Sequence, residues 1–232
     1  MKTVEEWSHG FDLLYNNIAS DKAPGLEPFE ISQFLTTAQE SIVIALYKGS
    51  FGDTFESTEE VSSYLSTLVK QADCEKVDEP LVGKLSASST VFDSPEDLLF
   101  RTWESCVITS PCGETQVPVI PVTQDEFWRT IRNPFKRQNK QRVLRLEYSV
   151  SANDTEKDSY SVRNYVELVS DYTISEYTVR YLSKPEPIII EDLPDGLSIN
   201  GKTEAQTCLL PEALHQTILS EAVRMAKATW SA

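Results

Sequence analysis

Thr123-Gln124-Asp125-Glu126-Phe127-Trp128-Arg129-Thr130-Ile131-Arg132-Asn133-Pro134-Phe135-Lys136-Arg137-Gln138-Asn139-Lys140-Gln141-Arg142-Val143-Leu144-Arg145-Leu146-Glu147 holds a helix, a stop and a strand in one stretch. Thr123, with Glu126 three residues on, is a capping-box pattern, in which each side chain takes up the other's orphan backbone N–H at a helix start. Phe127, Trp128 and Ile131 give the short helix its apolar positions. The Asn133–Pro134 step ends it, because a proline ring pushes the preceding residue out of helical geometry. A basic loop, Phe135–Asn139, follows, and Arg142–Val150 then reads as a strand. Between Arg129 and Arg145 lie seven of the chain's 21 Lys and Arg residues and no acid. The whole chain carries −15, so without these seven cations it carries −22.

The 232 residues suffice for one large domain or two small ones. A content of 40 % hydrophobic and 25 % charged residues is globular. No apolar run approaches the roughly 18 residues of a spanning helix, and the N-terminus lacks the unbroken apolar region of a signal peptide. The expectation is a soluble, cytosol-made protein with no membrane partner. Cys74, Cys106, Cys112 and Cys208 are scattered, and the one close pair, Cys106–Cys112, has neither CxxC nor zinc-ribbon spacing. With only His9 and His215 to help, no metal or other cofactor is expected, and buried free thiols are the preferred reading.

Upstream of the opening stretch, Val4, Trp7, Phe11, Leu14, Tyr15 and Ile18 recur at helical spacing, capped by Thr3 and Glu6. A second helix begins near Glu27–Pro28, where proline is tolerated in the first turn, and stops at Lys48–Gly49. Its broad apolar face predicts burial against other helices. Ser57-Thr58-Glu59-Glu60 opens a third helix, with Val61, Tyr64, Leu65 and Leu68 inward. Asp73–Ser89 is polar and lacks a period, so it reads as a long connection or arm. Leu98–Ile108 and Gln116–Val122 read as a hairpin with a loop of six or seven residues around Ser110–Gly113. Beyond the opening stretch, Tyr160–Val169, Tyr172–Leu182 and the short Ile188–Ile190 read as strands. A last helix starts near Pro211 and ends at Trp230.

Helices, then strands, then one helix argue for α+β architecture. The expected fold is a helical bundle (three N-terminal helices plus the C-terminal helix) with an inserted antiparallel β region. Residues 1–72 and 206–232 would form the bundle, 73–97 an extended connection, and 98–205 the β-rich insertion with one short helix.

No catalytic motif is present: no GxGxxG, GxxxxGK[ST], HExxH or GxSxG. Most of the paired acids, such as Glu59–Glu60 and Asp125–Glu126, sit where helix starts favour negative charge. An enzyme is not expected. Three readings of the basic stretch stand side by side: a solvated loop, a nucleic-acid site with Phe127, Trp128 and Phe135 for stacking, or a protein contact. The surrounding acidity opposes the second, since duplex DNA is a polyanion. The preferred reading is a subunit or ring interface formed by Arg129, Arg132, Phe135, Lys136, Arg137, Lys140, Arg142 and Arg145. A positive face meeting a negative face is what head-to-tail contacts need, because they join two different patches.

Several motifs also carry a resemblance. They are Glu6-Trp7 with Phe11 and Tyr15-Asn16-Asn17, Ala23-Pro24-Gly25-Leu26, and Glu30 and Ser32 followed by Phe34-Leu35-Thr36 and Ala38-Gln39. Further on come Asn133-Pro134-Phe135-Lys136, Val179-Arg180-Tyr181 with Lys184-Pro185 and Pro187-Ile188, and Leu210-Pro211-Glu212 with Leu214-His215. Together they resemble a virion structural protein of crAss-like tailed bacteriophages, over most of the chain; the loops at 73–89 and 151–158 depart from the pattern. The resemblance implies a head-to-tail ring or adaptor protein forming a dodecameric ring stacked on the portal protein or on adjacent ring and tail proteins. Duplex DNA would pass without specific binding, and the protein would sit in the virion after assembly in the host cytoplasm. A tail-tube or baseplate protein with sixfold or threefold symmetry, or a DNA-binding accessory protein, would share some of these features.

Overall fold

The computed structural model describes residues 2–16, 25–49, 59–78, 84–86, 88–111, 113–154, 159–194 and 196–230. Cys112, the Ser57–Thr58 half of the Ser57-Thr58-Glu59-Glu60 helix start, part of the 73–89 connection and the 155–158 tip therefore lie outside the described residues. The chain forms two compact units, Met1–Leu68 with Lys184–Ala232, and Val69–Ser183.

The first unit holds α1 (Val4–Asn16), α2 (Pro28–Lys48), α3 (Glu59–Leu65) and α5 (Glu212–Trp230). The Thr3–Glu6 cap read from the sequence is formed. Glu6 N–H donates to Thr3 Oγ1 at 3.2 Å while Thr3 N–H donates to Glu6 Oε2 at 2.9 Å. Gly49, at φ 74°, closes α2 in left-handed backbone geometry that a side chain would strain. Trp7 and Phe11 of α1 and Ile218, Leu219 and Ala222 of α5 are fully buried. Gly10 lets α1 approach closely: a Cβ there would stand 3.1 Å from Leu219 Cδ1.

The expected four-helix bundle is not what forms. α5 packs on α1 and on α2, and α3, seven residues long, touches α2 only marginally. The physical reason lies in a polar stripe on α2. Ser32, Thr36 and Gln39 are buried there at helical spacing, and another helix has no free backbone groups to satisfy them. Extended chain does. Ile190 N–H donates to Ser32 Oγ at 3.1 Å, Ile188 N–H to Thr36 Oγ1 at 3.1 Å, and Gln39 Nε2 to Glu186 O at 2.8 Å. Residues 186–190 thus lie along α2 as a strap, and only Ile189 makes a β-bridge, to Gln206. No strand forms over Ile188–Ile190.

The second unit is a single eight-stranded sheet, and it is the dominant body of an α+β fold in which the helices form no bundle. Its strands are β1 (Val69–Asp73), β2 (Lys76–Val77), β3 (Ser89–Asp93), β4 (Leu98–Ser110), β5 (Gly113–Pro121), β6 (Val143–Asp154), β7 (Ser159–Val169) and β8 (Thr173–Ser183). The order across the sheet is β1-β8-β4-β5-β6-β7-β3-β2. Neighbouring strands run antiparallel except β5 and β6, which are parallel through Val119↔Val143, Ile120↔Leu144 and Pro121↔Arg145. An all-antiparallel insertion is thereby corrected. Parallel neighbours need a crossover of a dozen or more residues, usually helical, and the segment from Val122 to Arg142 provides it as α4 (Gln124–Arg132) and a loop.

Within the segment read as a connection, β2 pairs with β3. Glu167, fully buried on β7, draws in the chain beyond: its Oε1 accepts from Leu85 N–H at 2.8 Å and also from the Ser89 hydroxyl. The β4–β5 hairpin is tighter than expected, with Ser110 paired to Gly113. One face of the sheet buries Phe92, Cys106, Ile108, Val143, Tyr177 and Val179 among others.

Candidate subunit interface on the α4 crossover

β6 is buried on both faces, which fixes α4. Val143 points into the main sheet core, while its neighbours Leu144 and Leu146 meet Phe127 of α4, with Val169, Val122 and Ile131 around them. Phe127 and Ile131, one helical turn apart, are the side of α4 that faces the sheet. Trp128 does not join them and is 55 % exposed. The cap differs in detail from the sequence pattern: the Thr123 side chain makes no cap bond to the helix, and Glu126 N–H donates to Thr123 O at 3.2 Å. The Thr123 hydroxyl instead bonds Asp125, whose carboxyl it holds below the usual value.

The loop after α4 is ordered by its own backbone. Asn133 Oδ1 accepts from Phe135 N–H at 2.9 Å, and Asn133 O accepts from Lys136 N–H at 3.1 Å and Arg137 N–H at 3.0 Å. Arg142 reaches back with Nη2 to Phe135 O at 2.8 Å, and Asn139 and Arg142 form a β-bridge. Gln138 Nε2 ties the loop to Asp171 Oδ1 at 3.0 Å. This turn holds the Phe135 ring in solvent, 85 % exposed.

The eight residues expected to form an interface therefore separate. Arg129, Arg132, Lys136, Arg137 and Lys140 are exposed around Phe135 and Trp128, and none of the five has an ion-pair partner among the described residues. Arg142 is half-buried and braces the loop. Arg145, on the core-facing side of β6, is held in a cluster: it pairs with Glu104, and with Glu147 at 3.0 Å, while Arg101 pairs with Glu147 and lies 3.7 Å from Glu104. Tyr177 Oη donates to the other Glu104 oxygen at 3.3 Å. Burial pushes the Glu104 carboxyl up while both arginines pull against it. Sequence spacing does not reveal this cluster, because Arg101 and Glu104 come from β4, a strand not adjacent to β6 in the sheet.

Among the described residues no group of three or more His, Cys, Asp or Glu stands together as a metal site, and no helix is long and apolar enough to cross a membrane. Burial pushes the Cys106 thiol up to about 12 and that of Cys208 to about 11, far from the thiolate a nucleophile needs.

The sequence model of a family described as phage tail ring protein 3/4 matches residues 1–232. The chain belongs to that family. It is 38 % identical over 233 residues to ring protein 3 of Bacteroides phage crAss001, covering 97 % of this chain and 94 % of the relative. It is 31 % identical over 235 residues to ring protein 4/5 of the same phage, covering 98 % and 93 %. Membership of the tail ring family makes this a phage structural protein of ring type, in agreement with the motifs at both ends and in the middle of the sequence.

Proposed function

We propose that the chain is a virion protein that closes with copies of itself into a ring of about twelve near the head-to-tail junction. The ring stacks on the portal protein or on other ring and tail layers, and its bore forms part of the conduit through which DNA is packaged and ejected. The observation that carries this reading is the family match over residues 1–232 together with five exposed cations, unpaired among the described residues, on a chain of net charge −15. On an otherwise acidic protein such a knuckle has carboxylate faces to meet in every neighbour. The same acidity repels phosphates, so duplex DNA slides past without being gripped. The protein needs no chemistry to do this.

Native mass spectrometry with class-averaged particle images tests the reading. A closed ring of one symmetry is expected; stacked sixfold or threefold tubes would favour a tail-tube or baseplate protein. Duplex binding at physiological salt is expected to be negligible. A sub-micromolar affinity with a steep salt slope would instead mark a DNA-binding accessory protein.

A further inference from the structure

The charge of the chain is unevenly shared between its two units. Met1–Leu68 with Lys184–Ala232 contains 18 Asp and Glu against 7 Lys and Arg, a net −11; Val69–Ser183 contains 18 against 14, a net −4, which together restore −15. Half of the sheet unit's 14 cations lie in the stretch from Arg129 to Arg145.

Within the helical unit one acidic element is held rigidly. Leu193 N–H donates to Thr203 O at 2.8 Å and Ala205 N–H to Asp192 Oδ1 at 2.7 Å, which brings Glu191 and Asp192 against Glu204. Bridges Ile189↔Gln206 and Ile199↔Lys202 brace the same loop. All three carboxylates are exposed. Leu197, in the same loop, and Leu209, just beyond it in the chain, are left partly in solvent, at 39 % and 48 %. The α4 knuckle is the counterpart in both respects: cations around exposed Trp128 and Phe135. Apolar anchors inside a charged rim are how protein interfaces are composed, and two loops already ordered lose little freedom on docking.

Resting on the ring reading above, we propose that the α4 knuckle of one copy docks on the Glu191–Glu204 loop of the next copy of the same chain. The contact is heterologous, one surface from the sheet unit and a different one from the helical unit, as a closed ring requires.

Charge exchange tests it. R137E/K140E and E191K/E204K each are expected to keep the wild-type melting profile and circular dichroism, since all four residues are exposed, but to raise the half-assembly concentration by about tenfold or more through like-charge repulsion. An equimolar mixture of the two variants, or one chain carrying all four substitutions, is expected to recover wild-type assembly. Rings from E191K/E204K at wild-type concentration would overturn the inference. So would failure of the four-substitution chain to recover, or R137E/K140E rings that form normally but no longer stack on another ring protein. In each of these cases wild-type rings would leave the ring reading standing. Wild-type protein that stays monomeric at every concentration would overturn both.

Discussion

Arg137 and Arg145 belong to one basic run but do unlike work. Arg137 projects into solvent without an ionic partner among the described residues, whereas the Arg145 side chain is 12 % exposed and pairs with a Glu104 side chain that is 8 % exposed. Removing Arg145 takes a close partner from the buried Glu104 carboxylate and leaves it to Arg101, 3.7 Å away, and the Tyr177 hydroxyl. R145A is therefore expected to cost about 3–5 kcal/mol in urea unfolding, and R137E less than about 0.5 kcal/mol; equal costs would contradict the division. His215 gives the pH dependence. Its ring is 1 % exposed, lies 5.0 Å from Trp7, and its Nε2 is 2.9 Å from Leu210 O. Burial lowers its pKa, outweighing the Leu210 carbonyl that raises it. The folded state then takes up this proton less readily than the unfolded chain. Its contribution is complete above about pH 6.5 and is lost as pH falls below it. Melting temperature is expected to drop from pH 7.5 to 5.5 more in wild type than in H215Q, whose amide keeps a donor for Leu210. Parallel pH profiles would exclude His215 as the cause.

At the scale of elements, the buried stripe of α2 separates this fold from a bundle. Thr36 Oγ1 accepts from Ile188 N–H at 3.1 Å and lies 3.4 Å from Ile188 O. T36V keeps the shape and leaves that N–H without a partner, so it is expected to lower stability by about 1–3 kcal/mol. The denaturation midpoint should fall with an unchanged slope; no shift would show that the strap does not depend on this bond. The stripe also marks how far the sequence could be read. Helix starts and stops at Thr3–Glu6, Pro28 and Gly49 are local and were legible, as were the long strands with alternating residues. Ser32, Thr36 and Gln39 interrupt an apolar face and look like ordinary helix residues until their backbone partners, about 150 positions away, are seen. β1, β2 and β3 are short and polar at most outward positions, so they carry little periodic signal. The parallel β5–β6 pair was hidden for another reason: Thr123–Glu147 reads correctly as helix then strand, but nothing in the stretch states which strand β6 joins.

For the whole molecule, the division of charge matters more than its sum. A net −15 alone describes an acidic chain; five exposed cations on one knuckle of it, without ion-pair partners among the described residues, are what the proposed carboxylate contact rests on. The cluster was legible because it is contiguous in sequence. What sequence could not tell was which cations are free and which, like Arg145, are already committed inside the sheet. The most direct measurement is the oligomeric mass of wild type and R137E/K140E across a salt series. The wild type is expected to form closed rings at physiological salt that dissociate as salt rises, because exposed charge contacts are screened, while the variant stays dissociated at protein concentrations where wild type is assembled. Rings of the same mass and salt dependence from both proteins would contradict the assignment of the α4 knuckle as the subunit contact.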